Sequence, residues 1–204
     1  MAKKRLLAIL IITMLLMTNL FSNIVFADTN NSKSSNLNDI GNHWAKEQIN
    51  SYVEKNFLNG YKDNTFKPNN YIKRAEFIKI INNVFGFTEK NSIEFNDVTL
   101  NDWFYDEVAK ANYVGYIKGY RDGTFRPNNY ITREQAAVII ARLHDLDKEN
   151  TENKLELTDK DDISNWAVNS IKAISKKGYI KGYDDGSFKP LKNITRAEAV
   201  VLIN

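Results

Sequence analysis

The stretch GYRDGTFRPNNYITREQA, Gly119–Ala136, occurs three times in this chain. Upstream it reads GYKDNTFKPNNYIKRAEF, Gly60–Phe77, and downstream GYDDGSFKPLKNITRAEA, Gly182–Ala199. Working outward, a tryptophan (Trp44, Trp103, Trp166) stands 16 residues before each glycine. A proline (Pro68, Pro127, Pro190) follows each glycine by eight residues, and an arginine (Arg74, Arg133, Arg196) follows each proline by six. No gap is needed in any copy, so the repeat is real. Such units complete one another's cores rather than folding singly. Length varies only between them, at residues 82–94 and 143–156.

Each unit reads as helix, turn, helix. The first helix starts near the tryptophan and carries apolar residues five, eight and thirteen positions on, Ile171, Ile174 and Tyr179 in the third copy. Asn56, Gly115 and Gly178, twelve past each tryptophan, accept the left-handed conformation that ends a helix. Asp122-Gly123 and Asp185-Gly186 mark tight turns, with Asp63-Asn64 as the first copy's substitute. Thr132 with Gln135, and Thr195 with Glu198, are capping boxes that open the second helix. Lys73 replaces the threonine in the first copy, so there only Glu76 remains. The helix beyond is apolar around most of its circumference (Phe77, Ile78, Ile80, Ile81; Val138, Ile139, Ile140; Val200, Val201, Leu202) and belongs at the centre.

The N-terminus reads as an export signal. Lys3, Lys4 and Arg5 precede an apolar run from Leu6 to Met17, and Val25-Phe26-Ala27 offers a cleavage site after Ala27. Residues 6–26 are also just long enough to span a bilayer. Thr18, Asn19, Ser22 and Asn23 argue against an anchor, so no membrane span is expected after cleavage. Three of the 28 basic and none of the 25 acidic residues lie in the first 27, leaving 25 of each. The exported part is therefore neutral, and nucleic acid is not an expected partner. Without cysteine, no disulfide can hold it. The expected division is 1–27 signal peptide, 28–36 polar leader, and repeats at 37–94, 95–156 and 157–204.

The arginine fits a structural role worst. It sits in the first turn of a helix, where the dipole disfavours a cation by a few tenths of a kcal/mol. Free N–H groups beside a guanidinium make a receptor for a carboxylate. The alternative is pairing with Asp39, Asp97 and Asp159, five, six and seven residues before the tryptophans. The tryptophans read equally well as core or as an exposed wall for a sugar ring. Gly60, Gly119 and Gly182 are expected to supply a positive φ, and leave open a close approach of ligand to backbone. A glycosidase would need a singular carboxylate pair, and none stands outside the repeat. His43 and His144 occupy non-equivalent positions, and Tyr-Asp-Asp-Gly-Ser-Phe has too few ligands for calcium. No catalytic residue, cofactor or metal is expected.

Together these residues resemble the S-layer homology (SLH) domain: Leu37-x-Asp39, Phe95-x-Asp97 or Leu157-x-Asp159, the tryptophan, then G-Y-x-D-G-T-F-x-P-x-x-x-I-T-R-A-E. The resemblance covers Leu37 to Asn204 in three copies. It implies a mainly α fold, with three helix-turn-helix repeats in a pseudo-threefold arrangement around a central three-helix bundle and three prongs spread outward. It implies non-covalent attachment to a pyruvylated secondary cell-wall polysaccharide, an anionic glycan, at a Gram-positive surface or S-layer. The ligand would lie in grooves between prongs. Asp39, Trp44, Gly60 and Arg74 would contribute from the first repeat, Asp97, Trp103, Gly119 and Arg133 from the second, and Asp159, Trp166, Gly182 and Arg196 from the third. Two departures bear on affinity: Lys73 makes the first pocket more basic, and in Arg133-Glu134-Gln135 the acidic residue has moved one place. The last helix reads as clipped at Ile203-Asn204, so a downstream cargo is expected, either a lattice region or an exported polysaccharide-degrading enzyme.

Overall fold

A computed structural model describes residues 37–147 and 155–203, so the signal, the leader and the middle of the second linker lie outside the described residues. Among the described residues six α-helices follow in order: α1 (Lys46–Glu54), α2 (Arg74–Phe85), α3 (Tyr105–Val114), α4 (Arg133–Leu143), α5 (Val168–Lys176) and α6 (Arg196–Ile203). A 3₁₀ turn, Lys160–Asp162, precedes α5. The described residues contain isolated β-bridges but no strands. The fold is mainly α, two helices per repeat.

The start and stop signals act as written. Asn56, Gly115 and Gly178 take φ values of 57°, 91° and 80° after the outer helices α1, α3 and α5. Gln135 N–H donates to Thr132 Oγ1 and Thr132 N–H to Gln135 Oε1; Thr195 and Glu198 repeat the exchange. Lys73 has no acceptor to offer, so α2 keeps half the box, Lys73 N–H to Glu76 Oε2 at 2.9 Å. Of the apolar residues on the inner helices, only Phe85, at the end of α2, and Val201 are exposed.

The repeats close into a ring. Ile72 N–H donates to the Ile194 carbonyl, Ile194 N–H to Ile131, and Ile131 N–H to Ile72, at 3.1–3.2 Å, with all three side chains fully buried. Bridges Tyr71–Thr195, Lys73–Tyr130 and Thr132–Asn193 frame that triangle. This is the pseudo-threefold axis. Each inner helix packs on the outer helix of the next repeat: α2 on α3, α4 on α5, and α6 back on α1, while α2 also meets α6. One apolar core results, drawn from all three repeats. A repeat taken alone would leave its inner helix without the surface that covers it.

The Asp-Gly turns are pinned by their own side chains. Asp122 accepts from Thr124 N–H and Oγ1 and from Arg126; Asp63 and Asp185 do the same with Thr65 and Lys67, and with Ser187 and Lys189. The hydroxyl bond from Thr124 is the main reason that Asp122 titrates at about 2, and Asp63 and Asp185 are lowered likewise by Thr65 and Ser187. A carboxyl whose folded pKa is depressed stabilises the fold above its unfolded value near 4 and loses that contribution as pH falls through the folded one. Urea midpoints should therefore fall between pH 4 and pH 2, and Asp122→Asn should flatten the fall. An unchanged slope in the variant would place the acid sensitivity elsewhere.

Candidate functional site

The Gly-Tyr loops are tight turns closed by two backbone bonds: Tyr61, Tyr120 and Tyr183 N–H donate to the carbonyls of Thr65, Thr124 and Ser187 at 2.7–2.8 Å, and their own carbonyls accept from Asn64, Gly123 and Gly186 N–H at 2.9–3.1 Å. Gly60, Gly119 and Gly182 do not adopt positive φ, contrary to expectation. They are needed for closeness. A Cβ on Gly60 would stand 2.6 Å from Leu37 Cδ2 and 2.9 Å from the Thr65 carbonyl, and one on Gly119 would run into the Phe95 ring. The approach that requires glycine comes from the protein's own loop.

The aspartates do not pair with the arginines. Asp39 accepts from Phe66 and Lys67 N–H at 2.8 and 2.7 Å, Asp97 from Phe125 and Arg126 N–H at 2.7 Å, and Asp159 from Phe188 and Lys189 N–H at 2.7 Å. Lys67, Arg126 and Lys189 stand at φ of 56–57°, which a side chain tolerates at a cost of roughly 1–2 kcal/mol. The carboxylate clamps that turn in place.

Each arginine reaches into the neighbouring repeat, and two of them hold the same turn from its other side. Arg74 Nε donates to the Phe125 carbonyl at 3.0 Å, and Arg196 Nε to the Phe66 carbonyl at 2.9 Å. Both side chains are buried, and burial pulls the Arg74 pKa down while Tyr120 and Asp97 counter it. Arg133 breaks the pattern: its Nε is buried without a partner, and its Nη2 donates to the Lys181 carbonyl at 2.6 Å. The guanidinium carbons of all three lie 4.7–5.2 Å from the Tyr and Phe rings of the turn they enter.

The helix starts are not open to an anion as the dipole argument expects. Arg74 and Ala75 N–H donate to the carbonyls of Asn129 and Pro127, Arg133 and Glu134 to Lys192 and Pro190, and Arg196 and Ala197 to Asn70 and Pro68. The neighbouring turn has taken the first N–H groups of each inner helix, as the N-terminal end of a helix requires of something.

The tryptophans are exposed: Trp44 by 63%, Trp103 and Trp166 by 55% each. That decides the open choice against core. Two grooves gather the motif residues, each from all three repeats. The first, about 250 Å³, holds Gly60, Tyr61 and Glu76 of repeat one, Trp103 of repeat two and Arg196 of repeat three. The second, about 430 Å³, holds Gly119, Tyr120 and Gln135 of repeat two, Trp166 of repeat three and Arg74 of repeat one. Arg133 touches the third loop; Trp44 lies against His43 and lines neither groove. The aspartates line neither groove.

Sequence reasoning missed the tyrosines, although the Gly-Tyr repetition announced them: Tyr61 and Tyr120 each have two cations within 5.2 Å of the ring, and Tyr183 has three. It also missed Lys118, Arg121 and Arg142 in the second groove. Arg142 had no signal, because Asn83 holds its place in repeat one. Nor is the first groove the more basic: Lys73 is not among its lining residues, and Glu76 is.

A family model described as S-layer homology domain matches residues 36–78, 94–137 and 156–200. The chain is 38% identical over 159 residues to a cellulosome-anchoring protein of Acetivibrio thermocellus, covering 72% of this chain and 34% of that protein. It is 34% identical to an amylopullulanase of Thermoanaerobacterium thermosulfurigenes, over 82% of this chain and 9% of the enzyme. A surface-layer 125 kDa protein of Lysinibacillus sphaericus is 28% identical over 85% of this chain, which spans 15% of its length. The chain thus corresponds to between 9% and 34% of these relatives.

Proposed function

The chain belongs to the S-layer homology domain family, and from that premise we propose that it is a non-catalytic module holding an exported protein on the cell wall by binding an acidic secondary polysaccharide, one carrying pyruvyl ketals. The observation that supports this most is the convergence of an exposed tryptophan, a Gly-Tyr loop and an arginine from three different repeats in each of two grooves. An aromatic face receives a sugar ring, and cations beside it receive a carboxylate. A pyruvyl ketal presents both on one residue. The printed names of the relatives, a cellulosome anchor and a surface-layer protein among them, agree with a surface location, and the glycan-degrading relatives suggest what such a module could carry.

Co-sedimentation with purified cell-wall sacculi, before and after chemical removal of the secondary polysaccharide, tests the reading. Binding should be strong on intact sacculi and lost on stripped ones. Equal binding to both would make peptidoglycan the receptor and end the glycan reading.

A further inference from the structure

The two grooves differ in chemistry as well as size. At the place where the first carries Glu76, the second carries Gln135; where the first carries Asn83 and Asn59, the second carries Arg142 and Lys118. The carboxylate of repeat two has been moved out of the way. Glu134 is buried, only 3% exposed, and accepts from Ser164 N–H and Oγ at 3.0 Å. The second groove is therefore lined by Arg74, Lys118, Arg121 and Arg142 with no carboxylate among its lining residues. The first has Lys79 and Arg196 against Glu76, and Lys79 already lies 5.4 Å over the Trp103 ring.

At the third loop the cations are committed internally. Lys192 Nζ donates to Tyr183 Oη at 3.1 Å and to Glu198 Oε1 at 3.2 Å, and Arg133 is bound to the Lys181 carbonyl. Arg142 differs: Arg133 shares an unpartnered Nε but is held through its Nη2 by the Lys181 carbonyl, whereas Arg142 has a loose ion pair in place of such a bond. It is half-buried, its Nε has no hydrogen-bond partner, and the nearest carboxylate, Asp147 Oδ2, stands at 3.8 Å. A guanidinium whose Nε is shut off from water and short of an acceptor, while the rest of the side chain is partly exposed, is placed to take an anion from outside.

We propose that the groove between the Gly119–Arg121 loop and Trp166 is the principal receptor, and that it takes a stretch of acidic glycan bearing at least two negative charges. Arg74 stands at one part of the lining, and Arg121 with Arg142 supply the further positive charge that the first groove lacks. Gln135 sets the specificity by being neutral. Its Oε1 accepts from Arg74 Nη1 at 3.3 Å, so a carboxylate there would pair with Arg74 and withdraw it from the ligand. The inference rests on the glycan-anchoring reading above.

The test measures affinity of the purified protein for polysaccharide-bearing sacculi at low and moderate salt. Gln135→Glu and Arg142→Asn should each weaken binding about tenfold and lessen its salt dependence, as loss of a charged contact does. Trp166→Ala should weaken it more than Trp103→Ala, and Glu76→Gln should strengthen the first groove severalfold. Melting temperatures keep the comparison clean, since glutamate fits the capping position of Gln135 as Glu198 does in repeat three. If Gln135→Glu and Arg142→Asn bind like the unaltered protein while Trp103→Ala does not, the first groove is the receptor and the proposal is wrong. If the unaltered protein binds stripped sacculi equally well, or intact ones not at all, the anchoring reading has failed and this inference goes with it.

Discussion

Replacing Arg74 by alanine is expected to lower the melting temperature by roughly 10 °C, a far larger effect than a surface cation would give. The side chain is 5% exposed and crosses from repeat one into repeat two, where its Nε meets the Phe125 carbonyl and its plane lies against Tyr120 and Phe125. Alanine would orphan that carbonyl, costing about 1–3 kcal/mol, and remove the packing of a long stem and a cation over two rings, about 1–2 more. Relief of the guanidinium's desolvation offsets part, leaving about 3 kcal/mol. Arg74→Met keeps the stem and should recover a third or more of the loss. Arg196→Ala should match Arg74→Ala, because Arg196 repeats the contact on Phe66. Arg133→Ala should cost only about 1 kcal/mol, because its Nε has no partner and the acceptor of its Nη2 belongs to Lys181, an exposed residue whose carbonyl can turn to water. Thermal melts that place all three variants within 2 °C of the unaltered protein would show that the arginines do not staple the repeats.

This bears on how binding data are read. Arg74 and Arg196 line the two grooves and also hold the ring of repeats together. A loss of wall binding on Arg74→Ala therefore mixes two causes. Gln135→Glu and Arg142→Asn change charge at the second groove without cutting the staple, which is why they carry the test of specificity.

The sequence disclosed what is local. Thr132 and Thr195 open helices within three residues of their partners, and Asn56, Gly115 and Gly178 close helices by their own φ. The apolar inner helices declared their place at the centre, and an unbroken register declared the threefold repetition. What stayed hidden is the cyclic shift by one repeat. Arg196 meets Phe66 across 130 positions, and no spacing argument distinguishes that partner from Phe125 or Phe188. The dipole argument at Arg74, Arg133 and Arg196 was sound for an isolated helix, but the neighbouring turn supplies carbonyls to those N–H groups. The choice posed for each arginine, an aspartate or a ligand, left out the partner actually used, a peptide carbonyl. The two residue types do meet, through the peptide of one phenylalanine.

That relay predicts a coupling. Asp97 accepts from Phe125 and Arg126 N–H, while Arg74 donates to the carbonyl of the same Phe125. Asp97→Ala would orphan the buried Phe125 N–H and release Arg126 from its left-handed conformation, a loss of about 2–3 kcal/mol. Once either side chain is gone, the turn moves and the other has less to hold. The double variant Arg74→Ala, Asp97→Ala should therefore fall short of the sum of the singles by about 1–2 kcal/mol. Asp39 supplies the control. It clamps Phe66, which Arg196 holds and Arg74 does not touch, so Arg74→Ala with Asp39→Ala should add to within about 0.5 kcal/mol. Denaturant titration of both cycles separates two pictures of the molecule. Coupling confined to the Arg74–Asp97 cycle means that each interface is an independent clasp, closed from two sides on one peptide. Equal coupling in both cycles would mean that the ring loosens as a whole whenever any clasp opens, and the relay through Phe125 would then explain nothing specific.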